Sequence, residues 1–190
     1  DNSEEPTNQL REIFVDPSPK KSSFDFYTRG KRRVNGSDKD DMLVGRKTKD
    51  KILGKEMNDY IYGKGGNDNL RGGKGDDVIQ GGKGKDRIKG NSGDDVLYGG
   101  RGDDKMTGGS GKDVFILSKG RDIITDFDIN KDDIGLVYAL DLTFKQIGDD
   151  LQIKGNDGVD TLLRNVNKDD FLANFPDNLF DAAAVEVTLI

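Results

Sequence analysis

Nine aspartates fall nine residues apart: Asp41, Asp50, Asp59, Asp68, Asp77, Asp86, Asp95, Asp104 and Asp113. Carboxylates repeated in this way could gather cations, or act in pairs as acid and base. The chain has no histidine and no cysteine. Their absence removes the commonest general base, the commonest zinc ligand, every Ser-His-Asp arrangement, thiolate metal sites and disulfides. Each aspartate is the sixth residue of a unit that opens with glycine. The eighth residue is always apolar: Leu43, Ile52, Ile61, Leu70, Ile79, Ile88, Leu97, Met106 and Phe115. Nine such units follow one another without a slip from Gly36 to Ile116.

To position such aspartates, each unit must supply a glycine-rich turn and then a short strand. Strand alternation turns the eighth residue inward and its neighbours at positions seven and nine outward. The consensus G-G-x-G-x-D-x-U-x is a calcium-binding repeat signature. Residues 36–116 closely resemble the RTX (hemolysin-type) repeats of bacterial secreted proteins, as in serralysin-like C-terminal β-roll modules. The resemblance implies an all-β fold, a right-handed parallel β-roll in which two nonads complete one turn. It also implies Ca2+ between loops two nonads apart on the same edge, held by aspartate carboxylates and backbone carbonyls. Calcium takes six to eight oxygen ligands at about 2.3–2.6 Å, and glycine permits the turn angles that aim carbonyls at an ion.

Position four is glycine from Gly66 onward (Gly75, Gly84, Gly93, Gly102 and Gly111 follow), whereas Lys39, Thr48 and Met57 stand there in the first three units. Those early units are expected to keep the strand pattern with weaker or absent sites. Same-edge pairing joins Asp68 with Asp86, Asp77 with Asp95, Asp86 with Asp104, and Asp95 with Asp113. Four well-formed sites are expected, with one or two more where the array meets its flanks. Asp59 is the candidate at the front. At the back, Asp122-Ile123-Ile124-Thr125-Asp126-Phe127-Asp128 resembles the segment that closes RTX rolls in secreted proteases, which implies roles for Asp122 and Asp126. One core residue per nonad is too little to order so much backbone, so folding is expected to depend on metal binding.

Composition agrees. Of 190 residues, 32% are hydrophobic and 35% charged, against typical values of about 45–50% and 25%. Twenty of the 26 glycines lie between Gly36 and Gly111. The net charge of −6 is uneven: residues 36–116 hold 15 acidic and 16 basic side chains, and residues 117–190 hold 15 and 7. The expected organisation is an N-terminal tail, linker and cap over 1–35, the roll over 36–116, and a C-terminal β cap over 117–177. In that cap, strands are expected at 142–147, 151–153 and 161–163, with a short helix carrying Phe171 and Leu172. The apolar stretch 178–190 resembles uncleaved type I secretion signals and also reads as a final edge strand. At the front, 13–15 and 24–27 are expected as short cap strands.

Other motifs are weaker. Asp126-x-Asp128-x-Asn130-x-Asp132 resembles the start of an EF-hand loop, but Lys131 replaces the glycine and Val137 the bidentate glutamate, so a turn is expected. Arg101-Gly102-Asp103 and Gly63-Lys64-Gly65-Gly66 are explained by the repeat register. No apolar run reaches the roughly 18 residues of a membrane span, and Asp1–Glu5 lacks the character of a signal peptide. The leading expectation is a non-enzymatic, secreted or cell-surface bacterial module that folds on calcium after export through type I secretion machinery. The alternative is the calcium-stabilised C-terminal part of a larger extracellular hydrolase. An acidic polysaccharide or cell surface is the expected partner, and nucleic acid is not. Exposed roll ends leave self-association open.

Overall fold

The computed structural model describes residues 26–29, 32–136, 140–174, 179–180 and 185–189. With strands numbered along the chain, all the even ones fall in one sheet and all but one of the odd ones in the other. The first sheet runs β1 (Phe26–Arg29), β3 (Asp41–Val44), β5 (Tyr60–Gly65), β7 (Val78–Lys83), β9 (Val96–Arg101), β11 (Val114–Ile116), β13 (Asp133–Gly135) and β17 (Leu179–Phe180). The second begins with β2 (Arg33–Asn35), β4 (Lys51–Glu56), β6 (Asn69–Lys74), β8 (Arg87–Ser92), β10 (Lys105–Ser110) and β12 (Gly120–Ile124). Pairing is parallel throughout these runs, and within the nine units each paired residue lies beside the one 18 positions on: Ile52 beside Leu70, Leu70 beside Ile88, Ile88 beside Met106. Two nonads therefore make one turn. The result is an all-β parallel solenoid of about six turns.

The nine eighth-position side chains stack into one buried column, each at most 1% exposed. Val34 on β2 and Ile124 on β12 extend that column in front of and behind the nine units. Of the cap strand expected at 24–27, the described part belongs to β1, which pairs in parallel with β3 and so continues the coil. The strand reading at 13–15 lies outside the described residues.

Behind the roll the second sheet continues through β16 (Val159–Leu163), β15 (Asp150–Gly155) and β14 (Leu140–Ile147), an antiparallel meander, and ends on β18 (Val185–Leu189). These match the strands expected at 142–147, 151–153 and 161–163, and β18 is the edge strand expected in the tail. A helix, α1 (Lys168–Ala173), starts at Asn167, whose side chain accepts the N–H groups of Asp169 and Asp170, satisfying helix donors that otherwise have no partner. Its buried Phe171 closes the core end. The rings of Phe115, Phe127, Phe171 and Phe144 follow one another at centroid separations of 6.1, 5.9 and 5.8 Å, within the range of favourable tilted pairs.

One feature departs from the simple inward–outward reading. On the second sheet, positions seven and nine are mostly polar and exposed. On the first, the corresponding Met42, Val44 and Tyr60 are buried and form a second small apolar cluster with Tyr62 and Val78. The pleat still alternates, but both faces of that sheet carry apolar residues.

Candidate metal-binding edges

The turns between strands stack along two edges of the roll, and the sixth-position aspartates line both. Each aspartate is bonded to the next one on its edge. The backbone N–H of Asp68 donates to Oδ1 of Asp86 at 2.7 Å, and Asp86 N–H to Asp104 at 2.7 Å. On the other edge Asp59 donates to Asp77, Asp77 to Asp95 (both 2.8 Å), and Asp95 to Asp113 at 3.0 Å. All four same-edge pairs expected from spacing are thus brought together. The ladders begin earlier, with Asp41 donating to Asp59 and Asp50 to Asp68, and end later, with Asp104 donating to Asp122 and Asp113 to Asp132.

The second carboxylate oxygen distinguishes the members. Oδ2 of Asp59, Asp68, Asp77, Asp86, Asp95 and Asp104 is buried without a hydrogen-bond partner. At the ladder ends protein donors fill that place. Ser37 binds Asp41 through its backbone N–H and hydroxyl. The Arg46 backbone N–H donates to Asp50 Oδ2 at 2.6 Å while its guanidinium holds Oδ1 at 2.8 Å, and the Ser118 hydroxyl donates to Asp122 Oδ2 at 2.7 Å. The Asp128 N–H donates to Asp132 Oδ2 at 2.8 Å. Buried carboxylate oxygens without donors are costly in an otherwise well-satisfied fold, and here they recur in six consecutive units.

The surroundings of the free oxygens are themselves oxygen-rich. A Cβ placed on Gly63 would lie 2.5 Å from Asp68 Oδ2 and 2.6 Å from the Gly81 carbonyl oxygen. One placed on Gly81 would lie 2.5 Å from Asp86 Oδ2 and 2.6 Å from the Gly99 carbonyl. Glycine at position one thus leaves open a recess shared by a carboxylate and a carbonyl. Among the described residues no three carboxylates gather into a cluster, so backbone carbonyls must complete any coordination shell. That donor set, hard oxygens only, suits calcium. The fourth-position glycines shape the turn: Gly66, Gly75, Gly84, Gly93, Gly102 and Gly111 all have φ between +111° and +140°. At Gly84 a side chain would also run into the carbonyl of Gly66 one coil earlier.

Electrostatics follow from burial. Desolvation pushes the Asp59 and Asp95 carboxyls up to about 8, and those of Asp68, Asp77, Asp86 and Asp122 up to about 7. Asp104 and Asp113 rise to about 6. In every case the hydrogen bond received from the preceding aspartate opposes the rise.

Asp126 stands apart from the ladder. It is exposed, accepts the Gly108 N–H at 3.0 Å and lines an open cleft with Asp128, Arg164 and Asp170. The EF-hand-like stretch is a turn, as expected: Asp128 accepts the Asn130 N–H and pairs with Lys131. Asp132 is a ladder member that sequence reading missed, because one inserted residue puts it 19 rather than 18 positions after Asp113. The downstream Ile134, buried opposite Phe115, carried the signal.

The family model described as RTX calcium-binding nonapeptide repeat (4 copies) matches residues 53–88, 62–97 and 89–124. No curated protein matches the chain. Among solved structures it is similar to the extracellular lipase LipA from Serratia marcescens, at 17% identity and TM-score 0.39 over 75% of this chain. It is also similar to the AlgE6R3 subunit from the Azotobacter vinelandii mannuronan C5-epimerase, at 23% identity and TM-score 0.38, over 88% of this chain and 90% of that one. The chain spans 40% of the length of the lipase chain. Residues 53–124 thus match the RTX calcium-binding nonapeptide repeat model and are wound as a parallel β-roll.

Proposed function

We propose that this chain is a non-catalytic extracellular module whose roll is held together by about four calcium ions. The observation that carries this reading is the run of six buried aspartate oxygens with no donor. The ions are held on the same-edge pairs Asp68–Asp86, Asp77–Asp95, Asp86–Asp104 and Asp95–Asp113, with carbonyl oxygens of the intervening turns completing each shell. Asp59 extends the edge of Asp77 and Asp95 by one place. Asp122 closes the other edge, with the Ser118 hydroxyl standing where an ion would otherwise be needed. The same logic explains why Asp41 and Asp50 need no metal.

Sites built largely from exposed turns and carbonyls suit the millimolar calcium found outside cells. The chain therefore leaves the cell unordered, through type I secretion machinery that reads the tail 178–190, and folds on the far side. Its role there is structural, in surface attachment or adhesion.

Native mass spectrometry across a calcium titration tests the site assignment. The wild-type chain is expected to take up about four ions cooperatively, and Asp86→Asn, which belongs to two pairs, to take up about two fewer. A chain that acquires no ions at millimolar calcium, or an Asp86→Asn variant with the full complement, contradicts it.

A further inference from the structure

The outer face of the second sheet carries two rows of side chains set by the parallel register. In one row Arg33, Lys51, Asn69, Arg87 and Lys105 lie on successive strands, and in the next Leu53, Arg71, Lys89 and Thr107. Each of β2, β4, β6, β8 and β10 thus presents at least one cation. All six cations are exposed, and none has an ion-pair partner among the described residues. Neither row contains an acid.

This arrangement is costly in the free protein. Neighbouring strands lie about 4.8 Å apart, so Arg33 and Lys51, Arg71 and Lys89, and Arg87 and Lys105 face one another as like charges, which weakens a sheet. The fold pairs charges across the same 18-residue step elsewhere. Lys74 meets Glu56 at 2.9 Å, and Asp103 sits between Lys85 at 2.7 Å and Arg121 at 3.0 Å. Unrelieved repulsion on this one face calls for an anion from outside.

We infer that this face is a binding track for a linear acidic polysaccharide, an inference that rests on the calcium reading because the ions add positive charge to the edges beside it. The track spans roughly 19 Å over five strands, and its charge repeats at close to the rise of one sugar in an extended chain. Asn69 and Thr107 offer hydrogen-bonding groups to sugar hydroxyls between the cations. Single-stranded nucleic acid fits less well, because its binders supply aromatic platforms for the bases. Tyr60, Tyr62 and Tyr98 all lie on the other sheet.

The test is binding of an oligogalacturonate octamer to the calcium-loaded chain, measured by calorimetry at 50 and 200 mM salt beside an eight-residue oligothymidylate and neutral dextran. The wild type is expected to bind the uronate, at least tenfold more weakly at the higher salt, and to ignore dextran. The variant Arg71→Thr/Arg87→Thr/Lys89→Thr/Lys105→Thr should lose at least tenfold while keeping its calcium-dependent β signal. If that variant does not order, Arg71→Thr/Lys89→Thr serves the same comparison, with a loss of about threefold expected. Equal binding by wild type and variant, as calcium bridging alone would give, overturns the track, and so does oligothymidylate binding as tight as that of the uronate. A wild-type chain that stays unordered in calcium overturns the calcium reading and the track with it. An ordered one that ignores the uronate overturns the track alone.

Discussion

Asp86 accepts the backbone N–H of Asp68 through Oδ1, while its Oδ2 is buried beside a carbonyl oxygen with no donor in reach. Either a proton or a cation can resolve that situation. The carboxyls of Asp59, Asp68, Asp77, Asp86 and Asp95 lie at about 7 to 8 in the metal-free roll, above the ordinary value near 3.8. A folded-state value above the unfolded one means that the roll binds protons more tightly than the open chain. Its metal-free stability therefore falls as pH rises from about 4 to about 8. In chelator, the β signal by circular dichroism is expected to be stronger at pH 5 than at pH 8. In limiting calcium the order reverses, because protons compete for the same oxygens. An apparent calcium affinity that does not weaken between pH 8 and pH 6 would count against this account of the free oxygens.

At the scale of the turns, the two edges are not equivalent. The edge formed by 45–50, 63–68, 81–86 and 99–104 carries Arg46, Lys47, Lys49, Lys64, Lys83, Lys85 and Arg101 against Asp103 alone outside the ladder. The edge formed by 36–41, 54–59, 72–77, 90–95 and 108–113 carries Asp38, Asp40, Glu56, Asp76 and Asp94 with four lysines. Exposed charges act weakly in salt but accumulate over stacked turns at low ionic strength. Calcium titrated at low salt is therefore expected to bind in two classes, the acidic edge first, with Asp77→Asn removing tight binding and Asp86→Asn removing weak binding. A single class in both variants would show that the edges act alike. Strand positions, the buried column and the aspartate pairs were all legible in the sequence, since each is a fixed offset within a nonad. The tenth unit was harder to see, because Leu117 replaces its opening glycine although Gly120, Asp122 and Ile124 keep register. Which aspartates keep a free oxygen was not legible at all. That depends on whether the backbone N–H of Ser37 or Arg46, or the Ser118 hydroxyl, turns back onto the carboxylate, a matter of local turn geometry rather than spacing.

Across the whole molecule, one apolar column runs from Val34 through the nine repeats and Ile124 into the aromatic cluster around Phe171. Through the repeats it takes one side chain from each sheet per turn, and at the cap formed by β14, β15, β16 and α1 it broadens to include Leu142, Phe144, Leu151, Ile153 and Leu163. Stability is therefore expected to be divided: the cap relies on apolar burial, and the repeats on ions joining each turn to the next. Hydrogen–deuterium exchange at neutral pH, resolved along the chain, measures that division directly. The backbone amides of β5 through β10 should be protected in millimolar calcium and exchange at nearly unfolded rates in excess chelator. Equal protection of those strands in both conditions would contradict the claim that calcium holds the roll together.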